Sequence, residues 1–492
     1  MEIHLTLPKA SFLTSEALPL RVVMTNAGAA PVEVPDPLHE ANWQPTFTLT
    51  GPGLPPPGRV MSARAAVLGD LSPSPDGVAP VLRKIEPGQN FERQLPLHAW
   101  LQLSAPGPYQ IAGNLEWRGL TARSAPVSFT LEKLNPVALA VGVDEGVASK
   151  RQIPAAWLHQ GGKGRRLYSA VFTEERPDLA EIGPPTATYL QETGADAADL
   201  LVPWTNYDRN ESFHHWFAWR EGSRLFARSL LAKEPLSLDL GRPPERLLRP
   251  ALLPSSGDLN ILVLSGDGRE LLATRFAAPS GEGAPAPGHV LWRLPLPWPL
   301  RGARAALAPP SLPNARRAAL VSQDADTLLL SLLDTSKADG PGELKTVRVR
   351  EARALADSEP GLWIDAAGNS HVAVLCEKPH EDPRRKERSL ALASANFAPD
   401  GTLLAPATLT VLTPLETAVK TATAAFAVAG AQAQLGWAAL LENGQVIHLH
   451  SGGQPRRLEN PPAVPLELLP RSQAFYLLTL DPAVGPRFVA LQ

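Results

Sequence analysis

The larger part of the sequence repeats one pattern, in which an apolar segment, a tight polar or glycine turn and a second apolar segment follow one another. Seven such hairpins occur, at residues 155–172, 214–230, 259–276, 317–333, 371–397, 435–450 and 474–491. Their starts are spaced by roughly fifty residues, which is typical of repeat architectures. Because one hairpin cannot bury its own apolar faces, the repeats must pack against each other.

A short apolar segment precedes most of these hairpins, and a fourth segment follows most of them. Four strands per repeat and seven repeats predict a seven-bladed β-propeller, and several stacked β-sandwiches are the alternative. Residues 137–143 fit either the outer strand of the last blade or the inner strand of the first. The chain contains no Trp-Asp dipeptide and only two Gly-Gly pairs, so it lacks the WD and kelch signatures.

The first part of the chain has a different pattern, with eight short strand-like segments separated by proline and glycine turns. They lie at residues 2–7, 18–25, 31–34, 43–50, 81–85, 91–97, 109–117 and 127–132. This density of strands predicts two sheets packed face to face, because each strand must bury one side. Pro136 follows the last of these segments and marks the expected boundary.

Two features of this region resemble bacterial immunoglobulin-like domains, among them the intracellular proteinase inhibitor family. One is the arrangement of Phe12, the segment 18–22, Thr25-Asn26 and Pro31-Val32, and the other is the segment 107–111 around Tyr109. In such domains a tyrosine near this corner bonds back to the main chain. The predicted fold class is therefore all-β: an N-terminal immunoglobulin-like β-sandwich over residues 1–134, followed by a β-propeller of about seven blades over residues 135–492.

Composition and charge exclude several classes of protein. The 52 prolines of the 492 residues suit a chain of many short strands and turns. A net charge of −3 provides no positive field for nucleic acid or an anionic membrane, so neither partner is expected. The single cysteine excludes an intramolecular disulfide and a cysteine-rich zinc site, and no cofactor or metal is predicted. The sequence has no secretory signal pattern and no membrane span, so a cytoplasmic location is expected.

Residues 204–219 form the segment richest in potential binding groups, with three tryptophans, a tyrosine and two histidines. Aromatic rings supply apolar area and neighbouring charges supply orientation, a combination that binds a sugar or a peptide side chain. The alternative is that the tryptophans pack inside a blade. The predicted binding residues of this segment are Trp204, Tyr207, Asp208, Arg209 and Trp216.

A second candidate is the charged loop at residues 377–388, which carries five basic and four acidic residues. Such a run is ordinarily a solvated hairpin loop. Its basic cluster, represented by Arg384, Arg385 and Lys386, could still dock an acidic partner.

No serine-hydrolase elbow, zinc-protease motif, Walker loop or dinucleotide fingerprint occurs in the chain. The sequence therefore predicts a non-enzymatic scaffold or recognition subunit of a bacterial cytoplasmic assembly, with protein partners and an oligomeric state that it leaves open. One alternative is a propeller that binds or processes glycans. A second alternative is a protease inhibitor acting through the N-terminal domain.

Overall fold

The computed structural model describes most of the chain. The described residues are 1–491 without 15, 69–78, 101–102, 104, 143–150, 162–163, 175–186, 204–215, 230–231, 233, 253–256, 279–285, 308–315, 336–339, 381–386, 430–431, 451–453, 459–466, 472–473 and 482–484. They fold into two compact units, the first built mainly from Met1–Asn135 and the second mainly from Pro136–Pro184 and Leu190–Asp481.

The first unit contains eleven strands and two short helices in its described residues. They are β1 (Glu2–Thr6), β2 (Ser11–Leu13), β3 (Pro19–Thr25), β4 (Val32–Pro35), β5 (Thr46–Thr50), β6 (Arg59–Met61), α1 (Ala63–Leu68), β7 (Leu82–Ile85), β8 (Asn90–Pro96), α2 (Leu97–Trp100), β9 (Gly107–Trp117), β10 (Leu120–Arg123) and β11 (Val127–Glu132). All eight strands predicted for this region are present. Neither helix is long and apolar enough to cross a membrane.

These strands form two main sheets that share one core. The first sheet has the order β1-β3-β8, the second has the order β2-β11-β9-β5-β6 with β10 beside β9, and β4 pairs with β7. Buried and exposed side chains alternate along β9, so only one face of that strand lies in the core. Tyr109 is buried, and its hydroxyl lies 2.8 Å from the carbonyl oxygens of both Pro52 and Ala105.

The second unit consists of seven sheets in its described residues, and they follow one another along the chain. The first four contain β12 (Pro136–Val141), β13 (Arg151–Gln160), β14 (Arg165–Glu174) and β15 (Thr188–Thr193); β16 (Ala198–Leu201), β17 (Trp216–Glu221), β18 (Arg224–Ser229) and β19 (Leu236–Asp239); β20 (Arg246–Leu252), β21 (Leu259–Leu264), β22 (Glu270–Phe276) and β23 (His289–Pro295); and β24 (Leu300–Leu307), β25 (Arg316–Asp324), β26 (Thr327–Asp334) and β27 (Leu344–Val349).

The last three sheets follow the same plan with local variations. The fifth contains β28 (Arg353–Ala354), β30 (Gly361–Ile364), β31 (Ser370–Pro379), β32 (Arg388–Phe397) and β33 (Thr408–Leu415); the sixth contains β29 (Ser358–Glu359), β34 (Val419–Ala429), β35 (Gln432–Leu441), β36 (Val446–His450) and β37 (Arg456–Arg457); and the seventh contains β38 (Glu467–Arg471), β39 (Ala474–Asp481) and β40 (Gly485–Leu491). Every predicted hairpin is present as the second and third strands of one sheet.

The inner strands of these sheets make the second unit a β-propeller. Contacts run in order from β12 through β16, β20, β24, β30 and β34 to β38, and β38 in turn contacts β12. Neighbouring sheets pack face to face, so both faces of each second strand are covered by an adjacent sheet. This explains why β25 is a nearly continuous run of buried residues rather than an alternating one.

The sequence allows two positions for residues 137–143, and in the structure residues 137–141 belong to β12. This strand pairs with β13, so it is the inner strand of the first sheet. The seventh sheet has the order β38-β39-β40 among the described residues and takes no strand from the first sheet.

Candidate functional site

Most residues of the aromatic segment predicted to bind a partner lie outside the described residues, namely Trp204, Tyr207, Asp208 and Arg209. Trp216 is described and begins β17. Its side chain is only 1% exposed, and its indole N–H donates a 2.9 Å hydrogen bond to the Gly257 carbonyl oxygen. Trp216 therefore packs between the second and third sheets, and its ring presents no surface to a ligand.

The basic residues predicted as a docking cluster, Arg384, Arg385 and Lys386, also lie outside the described residues. The described ends of this loop are close to each other. Arg388 forms a 3.2 Å ion pair with Glu377 on the neighbouring strand β31. This ion pair joins the two strands at the base of the loop.

A cleft of about 600 Å³ opens beside the third sheet, at the end where β21 turns into β22. One wall is the segment Leu240–Pro244 that joins β19 to β20, and the floor is formed by Val263 and Leu272. Both floor residues belong to the apolar core between the second and third sheets. The cleft is thus an opening at the interface of two neighbouring sheets.

Main-chain hydrogen bonds hold the wall of the cleft at both ends. The Leu240 amide donates to the Ser223 carbonyl oxygen, and the Glu245 amide donates to the Leu264 carbonyl oxygen. Gly266 approaches the wall so closely that a Cβ atom there would lie 2.7 Å from the Pro243 carbonyl oxygen. The width of the cleft is therefore fixed by backbone rather than by mobile side chains.

The rim of the cleft carries charges of both signs. Arg293 on β23 donates a 2.9 Å hydrogen bond to Glu270 on β22, and both side chains remain partly exposed. Arg242 on the opposite wall is exposed and forms no ion pair with any residue that the structure describes. Guanidinium and carboxylate groups thus stand side by side at the mouth of the cleft.

Asp267 completes the rim from the turn between β21 and β22. Its carboxylate accepts hydrogen bonds from the Ser265 hydroxyl and from the Arg269 amide. The Ser265 hydrogen bond, followed by that of the amide, lowers the pKa of Asp267 from its usual range. Asp267 is consequently a fixed anion, oriented by its own turn.

This arrangement suits binding better than acid catalysis. A glycosidase needs one carboxylic acid with a raised pKa to protonate the leaving group. The pKa of Asp267 is lowered, and Glu270 is held in an ion pair with Arg293. Within the described ranges there is also no cluster of three His, Cys, Asp or Glu residues that could hold a metal ion.

No local pattern in the sequence predicts this cleft, because its residues come from three separate segments of the chain. Arg242, Glu270 and Arg293 belong to a connection and two different strands. Only the turn of the predicted hairpin at residues 259–276 has a local signal in the sequence, and that signal does not indicate what the turn borders.

The chain matches no protein-family model and no curated protein sequence. Among solved structures it is similar to AofleA from Arthrobotrys oligospora, at 10% identity over 67% of this chain and 88% of that one, with a TM-score of 0.39. It is also similar to the Aleuria aurantia lectin, a six-bladed β-propeller with fucose recognition, at 11% identity over 68% and 99% of the two chains, with a TM-score of 0.37.

A third similar structure is the Penicillium chrysogenum α-L-arabinanase in complex with arabinobiose. It shares 9% identity over 73% of this chain and 93% of its own, with a TM-score of 0.37. All three TM-scores are below 0.5, so the propeller assignment for this chain rests on its own strand topology.

These findings correct the predicted main function. The sequence predicts a non-enzymatic protein-interaction scaffold, and that prediction is wrong on this comparison. The similar structures include lectins that bind fucose or a fucoside, an α-L-arabinanase and an α-L-arabinofuranosidase. They belong to the class that the sequence analysis gave as its alternative.

Proposed function

We propose that the chain is a carbohydrate-binding protein that holds a sugar in the cleft beside the third sheet. The observation that carries this proposal is the combination, in one cleft of about 600 Å³, of an apolar floor and a rim of paired opposite charges. That volume lies within the range of small-molecule sites in proteins. A mono- or disaccharide fills such a space.

The chemistry of a sugar explains why both kinds of surface are needed. The C–H face of a pyranose ring is apolar and packs on accessible apolar lining residues such as Leu240 and Pro243. Its hydroxyl groups each donate and accept hydrogen bonds. Arg293 can donate to one hydroxyl while Glu270 accepts from its neighbour, and hydrogen bonds to charged groups are the stronger ones.

The architecture proposed with this function has seven blades, each formed by one sheet of the second unit. The closed order of inner-strand contacts, from β12 to β38 and back to β12, supports this number. For the first unit we propose an immunoglobulin-like β-sandwich. The hydroxyl of Tyr109 beside the Pro52 and Ala105 carbonyl oxygens supports that assignment, because a tyrosine so placed ties a strand to its preceding loop.

A panel of immobilised neutral mono- and disaccharides, probed with the whole chain, tests the proposed function. The variants are Arg293→Ala and Glu270→Gln, each of which removes one partner of the rim pair. Arg353→Ala is the matched control, because Arg353 forms a similar exposed 2.8 Å ion pair with Asp326 outside the cleft.

We expect at least one sugar to bind the wild-type chain and to lose about tenfold or more in affinity with either cleft variant. A charged hydrogen bond contributes about 1.5–3 kcal/mol, which corresponds to this loss. The control variant should bind as the wild type does. Sugar binding that survives both cleft changes, or no binding across the panel, would refute the proposal.

A further inference from the structure

A second cluster of charged side chains lies between the third and fourth sheets, at the opposite end of β22 from the cleft. It consists of Asp258, Asn260, Arg275 and Arg316. Leu271 and Ala273 of β22 share a core with Ala318 and Leu320 of β25. Because side chains alternate along a strand, Arg275 lies on the same face of β22 as Leu271 and Ala273, and Arg316 lies on the same face of β25 as Ala318 and Leu320.

Asp258 and Arg275 already form a pair. Asp258 is only 6% exposed, and its carboxylate accepts hydrogen bonds from Nε of Arg275, at 2.7 Å, and from Nη2. The Ala278 amide donates a further 2.7 Å hydrogen bond to the other carboxylate oxygen. The carboxylate of Asp258 therefore pairs with the guanidinium group of Arg275.

Arg316 has no such partner. Its side chain is partly buried at the start of β25, and it forms no hydrogen bond or ion pair with any described residue. Desolvation and the positive charge of Arg275 lower the pKa of Arg316 from its usual range. Among the described residues, the cluster therefore holds two guanidinium groups and one carboxylate.

Asn260 adds an unsatisfied polar group. Its side-chain oxygen is buried and has no hydrogen-bond partner. It lies directly opposite Arg275 in the pairing of β21 with β22. Since an amide side chain can be turned to present either its oxygen or its NH2 group, Asn260 can donate to an anion held there.

We propose that this cluster is a carboxylate-binding site, in which Arg316 and Asn260 hold the carboxylate of an acidic ligand such as a uronic acid. One ligand carboxylate balances the two guanidinium groups and Asp258. The planar guanidinium fits a carboxylate through two parallel hydrogen bonds. A phosphate dianion would instead add excess negative charge beside Asp258. This site is independent of the sugar cleft and does not depend on the function proposed for it.

Isothermal titration of the whole chain with sodium glucuronate, at constant ionic strength, tests the proposal, with glucose as the neutral counterpart. We expect glucuronate to bind the wild-type chain. Any heat measured with glucose should be the same in the wild type and in the Arg316 variants. Arg316→Gln should lower the affinity for glucuronate at least tenfold, whereas Arg316→Lys, which keeps the charge and loses the planar fork, should lower it less.

The melting temperature without ligand separates binding from folding. Arg316→Gln removes an unpaired cation beside Arg275, so the variant should melt at or above the temperature of the wild type. Arg353→Ala, which lies outside both sites, should leave glucuronate affinity unchanged. Three outcomes would each overturn the proposal: full glucuronate affinity in Arg316→Gln, no glucuronate binding by the wild type, or tighter binding of inorganic phosphate than of glucuronate.

Discussion

The only cysteine of the chain, Cys376, is fully buried on β31 between the fourth and fifth sheets. Desolvation raises the pKa of its thiol to about 12. Because the thiolate is the reactive form, burial suppresses the reactivity of this side chain in two ways, by blocking access and by keeping it protonated.

We therefore expect native protein at neutral pH to remain unmodified by a thiol reagent such as iodoacetamide. In denaturant, one thiol per chain should react. Mass spectrometry after timed labelling measures both states, and the single cysteine makes the assignment unambiguous. Rapid labelling of the native chain would contradict the placement of Cys376 in the core.

The pKa of Asp36 in the first unit is shifted in the opposite direction, below its usual range. Desolvation raises its pKa, but hydrogen bonds from Arg93, the Leu38 amide and Arg83 outweigh that effect, so the pKa lies below its usual range. A carboxyl group whose pKa is lower in the folded state stabilises the fold above its unfolded pKa of about 3.9. That stabilisation is lost as the pH falls through the folded pKa.

The variant Asp36→Asn should accordingly be less stable than the wild type at pH 7, by about 2 kcal/mol. This is below the 3–5 kcal/mol of a fully buried pair, because both guanidinium groups reach solvent. Urea unfolding of the first unit at several pH values measures the difference. It should shrink as the pH falls below about 4, and a difference independent of pH would show that Asp36 acts only through its shape.

Strands and turns could be predicted from the sequence because their signals are local. The alanine-rich segment Val419–Ala429 forms β34 despite the helical propensity of alanine, because the repeat places a strand there. The two helices and the short strands β2, β6 and β10 were missed. One of these helices has a capping residue in the sequence. The Ser62 hydroxyl caps α1 by accepting a hydrogen bond from the Ala65 amide.

The rim of the sugar cleft could not be predicted in the same way. Its residues meet through the order of strands in the third sheet and the path of the segment before it, and neither is encoded within a few residues. The cluster around Arg316 depends in addition on the packing of two sheets. A local pattern indicates which face of a strand is buried, but not which residue of another sheet lies opposite.

Gly302 shows how closely inner strands approach one another. A Cβ atom at Gly302 on β24 would lie 2.0 Å from the Ser358 carbonyl oxygen, which belongs to the backbone and cannot be moved by a rotamer change. Gly302→Ala should therefore destabilise the second unit by about 1–3 kcal/mol, the usual cost of overpacking.

The matched control is Gly340→Ala, because a Cβ atom there would meet nothing within 4 Å. Thermal unfolding of the two variants and the wild type measures the effect. The control should melt close to the wild type, and equal melting temperatures for all three proteins would contradict the close approach of β24 to Ser358.

At the scale of the whole propeller, the ring of inner strands closes where β38 contacts β12. In the described residues no strand of the first sheet pairs with a strand of the seventh, so no shared strand joins them. Among the described residues, contact between β38 and β12 is therefore what joins these two sheets. Every other pair of neighbouring sheets is linked by the chain itself as well as by packing.

We expect the ring to open first at this junction. Local opening exposes amides to solvent long before global unfolding does, and it begins where the fewest interactions must be broken. In hydrogen exchange followed by mass spectrometry, amides of β39 should therefore exchange sooner than those of β25 and β31, which occupy the same position in the fourth and fifth sheets. The comparison between second strands is matched, because each lies between two other strands of its own sheet. Exchange of β25 or β31 before β39 would show that the ring does not open at the junction of β38 and β12.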